Sequence, residues 1–517
     1  MKNERLLPSI LFVLSLALPA EAQLRPQDYT LDYDDVPVAS NPQFVPPLEK
    51  ADGADGDPWP DFLSQLQGFH NITWGLRFAG DAPHDEHTDI PMVPASVQKL
   101  VTAAAAFKNL GPNAQFENYF EAKVSSQTHT ATNVKFTVSG DPTWGHSKYE
   151  TFDERINKVM SELSAKGVQT VSGEITIVTM RPELDQIARP EGWPERWTLQ
   201  CMATMPSSFM INGNCGSIRV SSLTKAAWTT PGMDLPIHLN LKAASKNNLT
   251  IKAESDRLNR IVGYTISGGF HSASSSFHDP LQSSSALYST FPSYAGTRYL
   301  KNLFLRALNQ NGIAYVPSSV ELDQDSSILV DLSSDMLKAV MSVAVKDSIN
   351  AVLDRYYFET AQVMRTAEPN QASFAILRES INDEKLLNGV EIFDGCGLVV
   401  DDRMRADTMH AFLSGLRSKT YFSDFLSVLA IAGQAGTLAN RMTGPLTNGK
   451  VFGKTGTINQ VYNLVGYFQT PNDVFEPFAI FTSSHQSASQ VKGMIDRLVT
   501  QFAGYNASRK LTQVDAH

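Results

Sequence analysis

Ser96 and Lys99, in the stretch "PASVQKL", are the pair with the clearest chemical potential. Three residues apart on a helix, their side chains rise on one face. A serine beside a neutral lysine amine is a nucleophile with its own base. A serine at a helix N-terminus also has free backbone N–H groups nearby, at the positive end of the helix dipole, to hold a developing oxyanion. The lysine must be buried or sit near another cation to part with its proton. The same spacing recurs at Ser222/Lys225 and Ser489/Lys492, so the pair alone decides nothing. Residues 96–110 add the context: Val97, Leu100, Val101, Ala104 and Phe107 recur at helical spacing, and Gly111-Pro112 supplies a stop. Ser222 instead falls in a strand-turn segment, and Ser489 caps a charged C-terminal helix.

Partners for such a pair lie downstream. Lys454, Thr455, Gly456 and Thr457 form the single Lys-Thr-Gly of the chain, on a strand-like run. A lysine, two hydroxyls and a glycine that lets substrate backbone come close make a strand edge suited to a carboxylate. Ser348 and Asn350, in "KDSINAV", are preferred over Ser245/Asn247 and Ser380/Asn382 because their segment is predominantly apolar. Ser-x-x-Lys alone reads more simply as an N-cap beside a surface lysine and Lys-Thr-Gly alone as a strand end, and Ser-x-Asn is the weakest of the three. Their occurrence in the order Ser-x-x-Lys, Ser-x-Asn, Lys-Thr-Gly is what resembles the serine penicillin-recognising enzymes.

Further stretches narrow the resemblance: "SGDPTW" at 139–144, "EGWPERW" at 191–197, "DGCGL" at 394–398, "AGTLANR" at 435–441 and "KTGTINQVYNLVGY" from Lys454. With them the chain resembles the class C low-molecular-mass penicillin-binding proteins, the D-alanyl-D-alanine carboxypeptidase/endopeptidases of the peptidase S13 type. The long interval from Ser96 to Ser348 matches the domains that this family inserts there and argues against a plain β-lactamase. The resemblance implies a mixed α/β (α+β) fold, a transpeptidase-like antiparallel sheet flanked by helices. It makes Ser96 the acylated nucleophile, Lys99 its base, Ser348 a proton relay and Asn350 a holder of substrate and of Lys99. Lys454, Thr455 and Thr457 would meet the terminal carboxylate beside Gly456, and the N–H groups of Ser96 and Thr457 would form the oxyanion hole. Peptidoglycan peptides and β-lactams are the implied partners. Where the family has Asp-Gly-Ser-Gly this chain has Cys396, for which little effect on the nucleophile is expected, with a mixed disulfide or an altered substrate contact as the alternatives. A non-catalytic binder, and a β-lactamase or esterase on the same scaffold, are the competing functions.

The elements that must position these residues follow from patterning. The first 22 residues carry Lys2 and Arg5, an apolar run and Ala20-Glu21-Ala22, the pattern of a cleaved secretory signal, too short to span a bilayer. Residues 23–59 are rich in Asp and Pro without an apolar period and read as a disordered acidic linker. The expected catalytic domain takes 60–145 and 331–517, ending in antiparallel strands capped by a helix, and 146–330 is expected as a mostly-β insertion between the first and second motifs. A periplasmic location, soluble or loosely membrane- or wall-associated, is the corresponding expectation.

The chain of 517 residues is 42% apolar and 19% charged, an ordinary globular balance. Its net charge of −10 argues against nucleic acid. Three cysteines without a Cys-x-x-Cys make a zinc framework improbable, and the turn formers between Cys201 and Cys215 suit a disulfide that leaves Cys396 unpaired. His84, His87 and Asp89 read as a polar loop rather than a metal site, so no metal and no cofactor is expected.

Overall fold

The computed structural model describes residues 72–78, 84–193, 197, 200–215, 217–221, 226–229, 236–245, 248–270, 287–288, 293–319 and 321–514. The expected signal at 1–22, the linker at 23–59 and the pair Ser222/Lys225 lie outside them.

The lysine helix, Lys99–Leu110, shows why its sequence looks as it does. Every residue from Lys99 to Phe107 is buried, so the helix is apolar all round and runs through the centre of a core. Its four consecutive alanines, Ala103 to Ala106, let neighbours approach from every side. Around it pack Val340, Met341 and Ala344 of helix Leu337–Lys346, Val352, Leu353 and Tyr356 of helix Asn350–Val363, and Ile376 and Leu377 of helix Asn370–Ser380. Enlarging one of those alanines would cost about 1–3 kcal/mol in overpacking. Gly111, at φ 84°, ends the helix as expected. The start differs from expectation: the α-helix begins at Lys99, and Ser96 sits in a preceding 3₁₀ turn, Ala95–Gln98.

This core lies on one face of a six-stranded sheet whose neighbouring strands all run antiparallel, in the order Ala430–Ile431, Val451–Ile458, Val461–Gln469, Phe475–Ser484, Ile72–Phe78, His84–Glu86. The C-terminal helix, Ala488–Val514, covers the other face with Val491, Ile495, Leu498 and Phe502 against Leu464 and Ile480. Strand Val461–Gln469 is buried along almost its whole length, as a central strand covered on both faces must be. The result is a sheet flanked by helices, the mixed α/β class expected.

A second sheet has the order Ala314–Val316, Thr170–Ser172, Thr130–Val138, Tyr119–Ser125, Ser326–Asp331, with Thr176–Thr179 also paired to Thr130–Val138. Helices Phe152–Ala165 and Ser293–Gln310 pack on it through Ile156, Val159, Leu300 and Phe304. A boundary at residue 145 cuts this sheet, because Tyr119–Ser125 and Thr130–Val138 pair with strands of the insertion. Strand patterning marks those residues as strands but carries no signal for which sheet they join. Two three-stranded sheets follow, Ile237–Ala243 with Asn248–Ser255 and Ile261–Phe270, and Ser217–Ser221 with Ala226–Thr229 and Leu287–Tyr288.

Candidate active site

The turn that carries Ser96 is held by the sheet beneath it. Ala95 has a positive φ of 47°, a conformation that non-glycine residues adopt at a cost and keep only where the surroundings enforce it. The surroundings here are explicit. Buried Asn463 donates from Nδ2 to Val93 O at 3.0 Å and Pro94 O at 2.9 Å, while its Oδ1 accepts from Thr482 N at 3.0 Å. Ser96 is thereby left half-buried while Lys99, one turn on, is fully buried.

Lys99 Nζ reaches Ser96 Oγ at 2.9 Å, Asn350 Oδ1 at 2.6 Å and the Cys396 carbonyl at 2.7 Å. Burial lowers its pKa below the ordinary lysine value, against the opposing pull of Cys396, Asp354 and Asp394. Such an amine can lose its proton at a pH where a surface lysine cannot.

Ser348 and Asn350 arrive from one helical corner. Helix Leu337–Lys346 ends with Ile349 N donating to Ala344 O at 2.8 Å and Ser348 N to Val345 O at 3.4 Å, the paired bonds of a Schellman motif. Ser348 holds the left-handed position, φ 59°, which glycine usually takes. Helix Asn350–Val363 starts two residues later, so both side chains leave the same corner. The Asn350 amide is oriented at each end: Oδ1 accepts from Lys99, and Nδ2 donates to Met202 O at 2.8 Å. Met202 follows Cys201, which forms a disulfide with Cys215 across a Cα separation of 5.3 Å.

Lys454 approaches from strand Val451–Ile458. It is fully buried, and its Nζ donates to Ser348 Oγ at 2.9 Å and to Thr455 O at 2.9 Å. Burial, with Lys99 nearby, pushes its pKa well below the ordinary lysine value, and Asp347 opposes the shift. Thr455 and Thr457 are half-buried, and Thr455 Oγ1 donates to Thr437 Oγ1 at 3.0 Å. Strand Ala430–Ile431 pairs with Gly453 and Phe452 alone, and not with the residues that follow them on that strand. A Cβ at Gly456 would lie 2.7 Å from Pro94 O and 3.1 Å from Val97 Cγ1, so the glycine admits the serine turn.

Two hydrogen-bonded sets thus meet in one site, Ser96 and Asn350 on Lys99 and Ser348 on Lys454, with Thr455, Gly456 and Thr457 on the strand that carries Lys454. The other described Ser-x-x-Lys pair lies elsewhere: Ser489 is exposed on the C-terminal helix and bonds to Ser487 Oγ. His87 is exposed and its ring packs against Trp74. Among the described residues, Asp354, Asp394 and Cys396 could in principle hold a metal ion together. The Asp394 carboxylate is, however, already surrounded by N–H donors from Trp193, Cys396, Gly397, Leu398 and Val399, so the cluster is a hydrogen-bonded loop. The Cys396 thiol is fully buried and burial pushes its pKa well up, which disfavours the mixed disulfide considered above. Asp394, Thr437 and Asn463 lie in stretches that carried the resemblance, yet nothing in their local pattern marked them out. A backbone acceptor such as Cys396 O leaves no sequence signal at all.

Comparison with known proteins matches residues 79–502 to the D-Ala-D-Ala carboxypeptidase 3 (S13) family. A D-alanyl-D-alanine carboxypeptidase from Actinomadura sp. (strain R39) is 25% identical over 434 residues, covering 80% of this chain and 78% of that protein. Among solved structures, penicillin binding protein 4 (dacB) from Haemophilus influenzae superposes with a TM-score of 0.62 at 19% identity, over 87% of this chain and 99% of the other. The same protein complexed with a β-lactam gives a TM-score of 0.58 at 19% identity, with the same coverage.

Proposed function

The chain belongs to the D-Ala-D-Ala carboxypeptidase 3 (S13) family, and from that premise we propose how its residues remove D-alanine from peptidoglycan stem peptides. Its activity is that of a serine-type hydrolase, a D-alanyl-D-alanine carboxypeptidase. The observation that carries the assignment of roles is the buried Lys99 amine 2.9 Å from Ser96 Oγ.

In the proposed reaction Lys99 takes the Ser96 proton as Oγ attacks the carbonyl carbon of the penultimate D-alanine. The resulting oxyanion is held by the backbone N–H groups of Ser96 and Thr457. The C–N bond breaks, the departing D-alanine nitrogen receives a proton through Ser348, and an ester on Ser96 remains for water to hydrolyse. The 2.9 Å contact between Ser348 Oγ and Lys454 Nζ supports that relay. Asn350 holds Lys99 in line and presents its amide to the peptide. The terminal carboxylate meets Lys454, Thr455 and Thr457. Burial and Lys99 disfavour a charged Lys454 in the resting site; an arriving carboxylate reverses the balance, so binding draws a proton onto Lys454. A β-lactam takes the same path as far as the ester.

A cross-linked peptide presents the same groups, since a D-Ala-diaminopimelate bond also places a carboxylate beside the leaving nitrogen. Endopeptidase action is therefore proposed on the same residues. The proposed location is the periplasm, where these substrates are; no helix among the described residues is long and apolar enough to cross a membrane.

The test uses labelled penicillin, a pentapeptide ending in D-Ala-D-Ala and a cross-linked dimer. Stable labelling with D-alanine release is expected, both lost in Ser96→Ala. Labelling without release from either peptide would leave a penicillin-binding protein without peptidase action, and rapid drug turnover would leave a β-lactamase.

A further inference from the structure

The loop 394–399 winds around one buried side chain. Asp394 is 3% exposed. Its Oδ1 accepts from Cys396 N at 3.0 Å and from Gly397 N; its Oδ2 accepts from Leu398 N at 2.9 Å, Val399 N at 2.9 Å and Trp193 Nε1 at 2.8 Å. The loop so formed grips the lysine helix and the turn before it. Gly395 O accepts from Thr102 Oγ1 at 2.7 Å, and Cys396 O from Lys99 Nζ at 2.7 Å. Gly397, at φ 77°, lies so close to Ala95 that a Cβ would fall 1.9 Å from its carbonyl oxygen.

The three partners of Lys99 differ in kind. Asn350 Oδ1 and Cys396 O can only accept, whereas Ser96 Oγ can also donate. A neutral amine has two hydrogens and one lone pair. With both hydrogens taken by the two carbonyl oxygens, the lone pair has only the Ser96 hydroxyl to face.

We propose that Asp394 is a positioning residue for acylation: by folding loop 394–399 around its carboxylate it fixes the Cys396 carbonyl on Lys99, and so aims the lysine lone pair at Ser96. This rests on the reading of Lys99 as the base. The groups that face Lys99 are Asp354 from helix Asn350–Val363, Asp394 and Cys396 from the loop, and Lys454 from strand Val451–Ile458.

Asp394→Asn tests it. The substitution sets an NH₂ group among N–H donors and removes a negative charge, so the loop loosens and Cys396 O leaves the amine. Acylation by a fluorescent penicillin is expected to slow on the order of 10²-fold, the penalty of a misplaced reacting group. The midpoint of the pH–rate profile is expected to move to lower pH, because the charged lysine loses an acceptor and a nearby anion. A general loosening that admitted water would move the midpoint up instead, and that result would overturn the proposal, as would an unchanged rate in a protein with a native near-ultraviolet spectrum. Thr102→Val removes a single grip on the loop and serves where Asp394→Asn does not fold. It should slow acylation a few-fold with the same direction of shift, and no change in either would overturn the proposal. Lys99→Arg run alongside separates the two levels. If it acylates normally the base assignment itself has failed; if it is inactive while Asp394→Asn behaves as wild type, only the role of Asp394 has.

Discussion

Two lysines lie fully buried in one site, and their surroundings differ. Lys99 is met by three oxygen atoms from three separate elements and has Asp354 and Asp394 nearby. Lys454 has a serine hydroxyl and its own neighbour's carbonyl, and the charge closest in effect is Lys99 itself. Burial lowers both pKa values; Cys396, Asp354 and Asp394 oppose the shift on Lys99, whereas on Lys454 Asp347 opposes it and Lys99 adds to it. The difference separates two tasks that the same residue type performs: Lys99 is surrounded so that its lone pair has one direction, and Lys454 is left short of an anion that the substrate supplies.

The contrast breaks or sharpens at four points. Ser96→Ala removes the nucleophile that both lysines serve, and acylation and D-alanine release should fall by at least about 10³-fold, as when a catalytic serine is lost elsewhere. The comparison proper is Lys99→Arg against Lys454→Arg. Arginine keeps the charge and does not give up its proton at any working pH. Lys99→Arg should therefore slow acylation on the order of 10³-fold, a full loss of base catalysis. Lys454→Arg should cost on the order of tenfold, mostly in KM, because a charge for the carboxylate survives. Stopped-flow labelling of both variants checks the order, and the reverse order would end the division of labour.

The third point is pH. Acylation needs neutral Lys99, whose pKa lies below the ordinary lysine value, so the rate should rise with pH through a midpoint below that of an ordinary lysine. Binding of a carboxylate ligand should take up a proton at Lys454, which calorimetry in two buffers of different ionisation enthalpy detects; binding with no proton uptake would place a charged lysine there beforehand. The smallest effect belongs to Thr437. Its hydroxyl pairs with Thr455, so Thr437→Val should raise KM a few-fold, about 1 kcal/mol, with Thr437→Ser restoring it.

The sequence made the reactive pair legible because helical spacing, an apolar face and a glycine stop surround Ser96 and Lys99 within fifteen residues. The strand with Lys454 was legible for the same reason, since composition alone marks a strand. Less could be read where conformation departs from type. Ala95 and Ser348 hold positive φ angles that neither residue type announces, and those two corners are what aim the side chains. Gly456 is marked by its motif, but its close contact with Pro94, distant in sequence, is not. Asn463 and Asp394 act through backbone groups of other segments, and long-range bonds of that kind have no local pattern. The edge of the inserted sheet was misplaced because alternation names a strand but not its neighbour.

The central claim, that the Lys99 amine activates Ser96, is tested most directly by mass spectrometry of the penicillin-treated protein. The account predicts one adduct of intact drug mass on the peptide that carries Ser96, forming faster as pH rises and absent in Ser96→Ala. An adduct on any other residue, or a Lys99→Arg protein that forms the Ser96 adduct at the wild-type rate, would contradict it.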